Sequence, residues 1–297
     1  MNMNRLRIWT LAIASLVATL GAYAQEDQFL DSDGVKIRYI VKGEGEPVVL
    51  IHGFTASLDR NWKGAGVIDA LAQDYRVIAF DNRGHGKSGK PHGGENYGKA
   101  MTGDVVHLLD HLEIEKAHIV GYSLGGIIAL NFTVNHPERT ISTVVGGQGY
   151  NPPGDPNSDI AIRIAESLEK GEGLRPLIEL LTPADRPKPT EDQLKATNAM
   201  LASTNDVLAL AGVMRGMSEL TVTPEQLKKN AVPVLGLVGE IDPLRVTTLA
   251  MRAAMSNVTD VVILDGADHI SAISHPGFTK AIQEFLAATS VAKSTGD

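Results

Sequence analysis

The sequence predicts an α/β fold, in which a mostly parallel β-sheet lies between layers of helices. Short continuous apolar runs, for example 47–51 and 75–80, are typical of strands buried on both faces of such a sheet. Helical patterns, for example at 99–112, fall between these runs. Strands that alternate with helices along a chain form a sandwich of three layers. With 43% hydrophobic and 21% charged residues, the 297-residue chain can bury a substantial core.

The predicted elements follow one another in a regular order. An opening hairpin is predicted to turn at Ser32-Asp33-Gly34, because this triplet is a turn signal between two short β patterns. The predicted strands cover residues 28–31, 35–42, 47–51, 75–80, 118–121, 141–145, 232–238 and 261–264. The predicted helices that flank the sheet cover residues 67–73, 99–112, 124–135, 246–255 and 276–288.

One long interval interrupts this alternation. Between the strand that ends near Gly146 and the strand that begins at Val232 lie about 85 residues, far more than a crossover connection needs. We therefore expect an inserted helical cap at 147–230, on a core domain formed by 25–146 and 231–297. Five helical patterns are predicted within the cap, at residues 159–170, 174–181, 190–202, 206–217 and 223–229. Breaks rich in proline and glycine separate them.

Residues 1–24 are predicted to be a secretory signal peptide. Arg5 and Arg7 precede an apolar run at 8–20, and Ala22-Tyr23-Ala24 has the small-x-small pattern of a cleavage site. The apolar run is shorter than the ~20 residues needed to cross a bilayer, so a membrane anchor is the weaker interpretation. We expect an exported protein, periplasmic or secreted, with no stable membrane insertion after cleavage.

Composition excludes several classes of function. The formal charge of the whole chain is -8, and loss of Arg5 and Arg7 with the signal peptide leaves 25 basic against 35 acidic residues, or -10. An acidic protein is a poor partner for nucleic acid or anionic lipid. The chain has no cysteine, which excludes thiol catalysis, and its sequence contains no His-x-x-x-His or similar ligand cluster. Neither a metal nor another cofactor is expected.

The most informative motif is Gly121-Tyr122-Ser123-Leu124-Gly125, which lies between an apolar strand pattern and an apolar helix pattern. A serine at the apex of such a strand–turn–helix unit is held in a strained conformation at the end of its strand, and the flanking glycines permit the tight turn. The helix that follows directs its first free N–H groups toward negative charge that forms nearby. Ser123 is therefore the predicted nucleophile.

This motif and its context resemble the α/β-hydrolase fold family, in which serine, acid and histidine follow in that order along the chain. A serine hydroxyl is a weak nucleophile, so acyl transfer needs a base and a carboxylate that orients this base. The resemblance implies Asp242 as the acid, in a loop after the strand predicted at 232–238. Glu240 is a nearby alternative, and a turn or helix cap before Pro243 is the non-catalytic interpretation of Asp242.

The resemblance implies His269, just after the last predicted strand, as the base. His136 and His275 each adjoin a proline at a helix end, which favours structural roles. The remaining candidates precede the nucleophile, against the chain order of the family: His107, His111 and His118. Family members often have glycine immediately before the base, whereas this chain has Asp268, which departs from the pattern.

Two backbone N–H groups are expected to bind the oxyanion of the tetrahedral intermediate. One such donor is worth about 3 kcal/mol in catalysis. The first is the N–H of Leu124, directly after the nucleophile. The second is the N–H of Phe54, because His52-Gly53-Phe54-Thr55 resembles the His-Gly motif of the family. His52 is also expected to pack this loop.

The loop at 81–88 resembles a further family loop, and we expect Asp81 and Arg83 to brace neighbouring loops by ion pairing. Its segment Gly84-His85-Gly86-Lys87-Ser88 lacks the glycine spacing of a phosphate-binding loop. The glycines after Ile51 do not form a dinucleotide-binding fingerprint. Nucleotide cofactors are therefore not predicted.

The resemblance implies a serine hydrolase that cleaves carboxylic esters of small to medium apolar molecules through an acyl-enzyme, with a small-molecule ester as its partner. Apolar cap residues would form the cap core or line a pocket beneath it, and the candidates are Leu180, Leu181, Met200, Leu201, Leu208, Met214 and Met217. The substrate-binding residues and the oligomeric state are left open.

Several alternatives share the same three side chains. They are a carbon–carbon bond hydrolase, a lactonase, a proline iminopeptidase-like enzyme and a perhydrolase. A ligand-binding protein that kept the fold without turnover is a further alternative. Epoxide hydrolases and haloalkane dehalogenases use an aspartate where this chain has Ser123, which argues against both.

Overall fold

The computed structural model describes residues 27–290, and these form one eight-stranded β-sheet. Its strands are β1 (Gln28–Ser32), β2 (Val35–Lys42), β3 (Glu46–Ile51), β4 (Tyr75–Phe80), β5 (Ala117–Tyr122), β6 (Thr140–Gly146), β7 (Val234–Gly239) and β8 (Val258–Leu264). They lie in the order β1-β2-β4-β3-β5-β6-β7-β8. The β1–β2 and β2–β4 pairs are antiparallel, and the pairs from β4–β3 to β7–β8 are parallel. The predicted α/β-hydrolase fold with a mostly parallel sheet is confirmed.

Helices cover both faces of the sheet. The described helices are α1 (Val67–Leu71), α2 (Lys99–His111), α3 (Leu124–Asn135), α4 (Ile160–Glu169), α5 (Arg175–Leu181), α6 (Glu191–Thr204), α7 (Val207–Gly216), α8 (Pro224–Lys229), α9 (Arg245–Ala254) and α10 (Pro276–Thr289). Apolar residues of α2 and α3 share one buried cluster with the sheet, and those of α1 and α10 share another.

Strand β3 is continuously apolar because both of its faces are buried. Val49 and Ile51 belong to the cluster under α2 and α3, whereas Val48 and Leu50 belong to the cluster under α1 and α10. All four side chains are fully buried, because successive residues of a strand point to opposite faces and here both faces are covered.

The interval between β6 and β7 contains the five helices α4 to α8. Helix α4 packs against α7. Both α6 and α8 begin with capping boxes, formed by Thr190 with Gln193 and by Thr223 with Gln226.

The division at 147 and 230 into a core domain and a cap stays a prediction. The strand predicted from Val232 begins two residues later, because Pro233 has no N–H to donate to a neighbouring strand.

Within residues 27–290, no helix is both long enough and apolar enough to cross a bilayer. The signal peptide predicted at 1–24 lies outside the described residues.

Candidate active site

Ser123 occupies the sharp turn between β5 and α3. Its backbone has φ 55° and ψ −118°, a strained conformation for a residue with a side chain. The neighbouring glycines are required by close approach: a Cβ at Gly121 would lie 2.0 Å from the carbonyl oxygen of Gly125, and a Cβ at Gly125 would lie 1.9 Å from that of Ile51. The turn is therefore possible only with glycine at both positions.

Backbone hydrogen bonds hold this strained residue in place. The N–H of Ser123 donates to the carbonyl of Gly146 at the end of β6, at 2.8 Å. Its carbonyl accepts from the N–H groups of Gly126 and Ile127, at 2.8 and 3.1 Å. The surrounding sheet and helix thus offset a backbone strain of about 1–3 kcal/mol.

The imidazole of His269 lies between the hydroxyl of Ser123 and the carboxylate of Asp242. Its Nε2 is 3.0 Å from Ser123 Oγ, and its Nδ1 is 2.9 Å from Asp242 Oδ2. His269 and Asp242 are each only 4% exposed. With the proton on Nδ1 donated to the carboxylate, Nε2 has a lone pair directed at the serine hydroxyl, which is the geometry that general-base catalysis requires. The structure thus brings the three predicted side chains together.

Asp242 and His269 are held by different neighbours. Asp242 Oδ1 accepts from the N–H of Leu244 at 2.8 Å, which fixes the carboxylate within its own loop. The carbonyl of His269 accepts from the hydroxyl of Tyr122 at 2.6 Å, and the two rings lie 5.5 Å apart. Burial, and then the charges of Asp242 and Asp268, raise the pKa of Tyr122 well above 10, so it stays a donor. Sequence reasoning missed this role of Tyr122, although it lies within the serine motif.

The alternative residues have other partners. Glu240 is exposed, and its Oε2 accepts from the N–H of Gly266 at 2.8 Å. His275 accepts from the N–H of Gly277 at 3.0 Å and so caps α10. His118 is buried, with its Nδ1 2.7 Å from the hydroxyl of Ser142. His136 lies at the C-terminal end of α3.

The residues proposed for the oxyanion lie beside Ser123. Leu124 is the first residue of α3, so its N–H has no acceptor within the helix. A Cβ at Gly53 would lie 3.3 Å from the Cβ of Ser123, so the loop that contains Phe54 passes directly against the serine. Phe54, Ser123 and Leu124 line the same cavity.

His52 holds this loop as a neutral side chain. Its Nδ1 donates to the carbonyl of Gly53 at 2.8 Å, while its Nε2 accepts from the N–H of Asn82 at 3.0 Å. Burial lowers the pKa of His52. The N–H of Gly53 donates to Asn61 Oδ1 at 2.8 Å. These bonds support the expectation that His52 packs the loop.

The loop at 81–88 braces its surroundings, as predicted. Asp81 forms an ion pair with Arg38 at 3.1 Å and accepts from the N–H groups of Leu58 and Lys87, each at 2.8 Å. Arg83 makes two hydrogen bonds to the carboxylate of Asp104, at 2.7 and 2.6 Å.

His85, in the same loop, was missed by sequence reasoning. Its ring contacts those of His52 and Phe54, with centroids 5.2 and 5.8 Å away. Burial lowers the pKa of His85 to about 3, so at neutral pH it is an uncharged support for the loop beside Ser123.

A cavity of about 770 Å³ lies between this site and the helices that follow β6. Of the apolar residues considered from sequence, four line the cavity: Leu180, Leu181, Met214 and Met217. Met200 and Leu208 are instead 53% and 51% exposed, and Leu201 is buried in the main core. The cavity lining also includes Gln148 and Tyr150, for which the sequence carried no recognisable signal.

The cavity offers little free charge. Among the described residues that line it, Arg215 is the single Lys or Arg, and Asp155 is the single acidic residue. Glu169 binds the guanidinium of Arg215 with two hydrogen bonds, at 3.0 and 2.6 Å. Residues 27–290 contain no group of three or more His, Cys, Asp or Glu side chains that could hold a metal ion.

Comparison with known proteins matches residues 46–170 to the family model described as the alpha/beta hydrolase fold. The chain is 30% identical to 3-oxoadipate enol-lactonase 2 of Acinetobacter baylyi over 86% of this chain and 95% of that protein. It is 29% identical to 2-hydroxy-6-oxo-6-(2'-aminophenyl)hexa-2,4-dienoic acid hydrolase of Metapseudomonas resinovorans over 89% and 91% of the two chains.

Solved structures extend the similarity to three dimensions. A hydrolase from Pseudomonas aeruginosa superimposes with a TM-score of 0.70 at 27% identity, over 89% of this chain and 99% of that chain.

Some sequence matches are partial. At 38% identity, the chain spans 40% of the length of the dihydrolipoyllysine-residue acetyltransferase component of the acetoin cleaving system from Cupriavidus necator.

Proposed function

The chain belongs to the α/β-hydrolase family, and we propose that it is a serine hydrolase that cleaves neutral carboxylic esters of small to medium apolar molecules. One observation carries this proposal. The hydroxyl of Ser123, the imidazole of His269 and the carboxylate of Asp242 form one hydrogen-bonded series at the wall of a cavity lined mainly by apolar side chains. This is the arrangement that activates serine for acyl transfer.

In the proposed reaction, His269 Nε2 takes the proton of Ser123 as Oγ attacks the ester carbonyl carbon. The N–H groups of Phe54 and Leu124 bind the resulting oxyanion. The imidazolium, stabilised by Asp242, then protonates the leaving alcohol, and the acyl group stays on Ser123. A water molecule, deprotonated by His269, attacks the acyl-enzyme. The imidazolium then returns the proton to Ser123 Oγ as the bond to the acyl group breaks and the carboxylic acid leaves.

The charges around the cavity favour a neutral substrate. Arg215 donates from Nε and Nη2, on one edge of its guanidinium, to both oxygens of the Glu169 carboxylate, so its positive charge is balanced by a neighbouring negative one. A carboxylate-bearing substrate would lose hydration in the cavity without a free cation to replace it, which is costly. An apolar acyl or alcohol group instead matches Leu180, Leu181, Met214 and Met217.

Lactone and carbon–carbon bond hydrolysis are the second candidates. The names of the two relatives that align over most of this chain specify an enol-lactonase and a dienoic acid hydrolase. A lactone is a cyclic ester, so its cleavage needs no change in the proposed roles of Ser123, His269 and Asp242.

Labelling with a fluorophosphonate, which modifies activated serines, tests the proposal directly. We expect the wild type to label and Ser123→Ala to fail, while circular dichroism shows both folded. Hydrolysis of neutral p-nitrophenyl esters should exceed that of a γ-lactone and of a 2-hydroxy-6-oxodienoic acid. A folded wild type that does not label would instead favour a ligand-binding protein, and preferential cleavage of the dienoic acid would favour the carbon–carbon bond hydrolase.

We further propose that the protein is exported. The basis is the sequence pattern at 1–24, with positive charge, an apolar run and a cleavage site. Mass spectrometry of protein recovered from the periplasm or medium should give Gln25 as the N-terminal residue, and recovery of uncleaved chain in the cytoplasm would contradict export.

A further inference from the structure

Asp268, which directly precedes His269, is joined to a distant part of the chain. Its carboxylate forms an ion pair with the guanidinium of Arg186, which lies in the segment 182–190 between α5 and α6. This contact occurs at the position where the sequence departs from the glycine common in the family. Asp268, unlike a glycine, can therefore bind Arg186 through its side chain.

The two oxygens of the Asp268 carboxylate make different contacts. Oδ1 accepts from the N–H groups of Ile270 and Ser271, at 3.0 and 2.8 Å, and from the Ser271 hydroxyl at 2.8 Å. Oδ2 accepts from Arg186. One side chain thus closes the turn around His269 and also contacts the segment between α5 and α6.

The environment of Asp268 keeps it ionised. Its side chain is only 14% exposed, and burial by itself would raise its pKa. Hydrogen bonds from Ser271, Arg186 and Ile270 outweigh burial and hold the pKa below its ordinary value. A charged acceptor is therefore present for Arg186 at neutral pH.

Arg186 is presented by a restricted backbone. Its N–H donates to the carbonyl of Pro183 at 3.0 Å, and prolines also occupy positions 187 and 189. The three prolines fix φ at three of the nine positions of this segment, which reduces the conformational entropy lost when the segment adopts its folded position. The described residues 151–204 form several ion pairs. Of these, the pair between Arg186 and Asp268 is the one whose partner lies in the loop after β8.

We propose that Asp268 and Arg186 are positioning residues that couple the placement of segment 182–190 to the orientation of His269. The inference rests on the proposed role of His269 as the base. Leu180 and Leu181, which line the cavity, immediately precede this segment. Formation of the ion pair thus links the position of this segment, next to the cavity-lining end of α5, to the geometry of the proton transfer.

The variants Arg186→Gln, Asp268→Asn and their combination separate this coupling from a general loss of structure. Asparagine keeps an oxygen for the N–H groups of Ile270 and Ser271 but removes the charge that Arg186 binds. Arg175→Gln is the matched control, because Arg175 pairs with Glu191 between α5 and α6 without contacting the histidine loop.

We expect each single variant to label with fluorophosphonate about three- to tenfold more slowly than the wild type. The double variant should lose no more than either single one, since both remove the same interaction. Arg186→Lys should recover part of the rate, and Arg175→Gln should match the wild type. For a short neutral ester, we expect the loss in kcat, with KM changed less than about twofold.

Hydrogen exchange supplies a readout independent of activity. The amides of Ile270 and Ser271 should exchange faster in Arg186→Gln than in the wild type or Arg175→Gln. If the wild type labels but Arg186→Gln and Asp268→Asn label and exchange at the wild-type rate, the coupling is wrong and the serine hydrolase proposal stands. A multiplicative loss in the double variant also overturns the coupling. A folded wild type that does not label overturns the proposed function itself.

Discussion

The loops at the C-terminal edge of the sheet and the helices α4, α5 and α7 face each other across the cavity but are built on different principles. Ser123, Asp242 and His269 are fixed by backbone hydrogen bonds and by close approach of neighbouring elements. The helices contribute mainly apolar side chains, with polar contacts such as Arg215–Glu169 formed among themselves.

Substitutions in these two regions should therefore have different effects on the enzyme. A change at the strand edge disturbs distances of about 3 Å between reacting atoms, so it should alter the chemistry or the fold. A change in the helices alters the volume or charge of the cavity, so it should alter which substrates are accepted. Five predictions, in decreasing order of expected effect, test this division.

The largest effect is expected at Ser123. Ser123→Ala should lose at least ~10³-fold in turnover with little change in stability, because the remaining groups cannot form the acyl-enzyme. Ester hydrolysis and thermal unfolding measure the two effects. Ser218→Ala, across the same cavity, is the control and should change turnover only slightly. Labelling that survives Ser123→Ala would assign the nucleophile elsewhere.

Gly125→Ala should destabilise the strand edge by more than about 3 kcal/mol or prevent folding, because the new Cβ would lie 1.9 Å from a carbonyl oxygen. Gly103→Ala, in α2, meets no heavy atom within 4 Å and should add up to about 1 kcal/mol. Urea unfolding of both variants measures the difference. Equal stabilities would refute the steric role given to Gly125.

His85 tests whether the loop beside Phe54 depends on a neutral ring. Its pKa is lowered from 6.5 to about 3 in the folded state, so between these pH values the unfolded chain binds more protons. The free energy of unfolding should therefore fall as pH falls through this window, by up to about 1.4 kcal/mol per pH unit from this residue.

His85→Phe should remove that part of the pH dependence of the unfolding free energy, as urea titrations at several pH values would measure. Met251→Leu, a buried substitution without a titrating group, should shift stability but keep the slope. An unchanged slope in His85→Phe would show that this ring is not held neutral.

Met217→Trp should change substrate range without changing chemistry. Filling the cavity should lower kcat/KM for a p-nitrophenyl octanoate about tenfold, while the acetate changes less than about twofold. Met200→Trp, at an exposed position of α6, is the control. Equal losses on both esters would mean that Met217 affects the reacting groups instead of the cavity volume.

The smallest effect is expected from Glu169→Gln, which frees the charge of Arg215 toward the cavity. The ratio of kcat/KM for a p-nitrophenyl hemisuccinate to that for the neutral butyrate should rise about threefold, since the pair is partly exposed. Glu284→Gln, which removes the partner of Lys280 on α10, away from the cavity, should leave the ratio unchanged. A constant ratio in Glu169→Gln would show that Arg215 does not influence substrate charge.

Much of the sheet and of the candidate site was predictable because both leave local signals. Continuous apolar runs marked β3 to β7 since both faces of these strands are covered. The glycines around Ser123 and the loops with Asp242 and His269 were recognisable because strand ends impose specific short motifs. The five helices between β6 and β7 also followed from helical patterns and from the proline- and glycine-rich breaks between them.

The contacts between distant segments were not predictable. Leu201 and Leu208 have similar sequence contexts, yet one is buried in the core and the other is half exposed. The supports given by Tyr122 to His269 and by His85 to Phe54 depend on side chains that meet only after folding.

Short segments of the chain were enough to predict the mostly parallel α/β sandwich, because strand burial and helix periodicity are local properties, and the motif around Ser123 carried the resemblance to the α/β-hydrolase family. Folding places the residues of α4, α5 and α7 along the cavity, pairs Glu169 with Arg215, and brings Arg186 to Asp268 beside His269. The physical reason is range: periodicity and turn chemistry act over a few residues, whereas these contacts join positions tens of residues apart and exist only once helices have packed over the sheet.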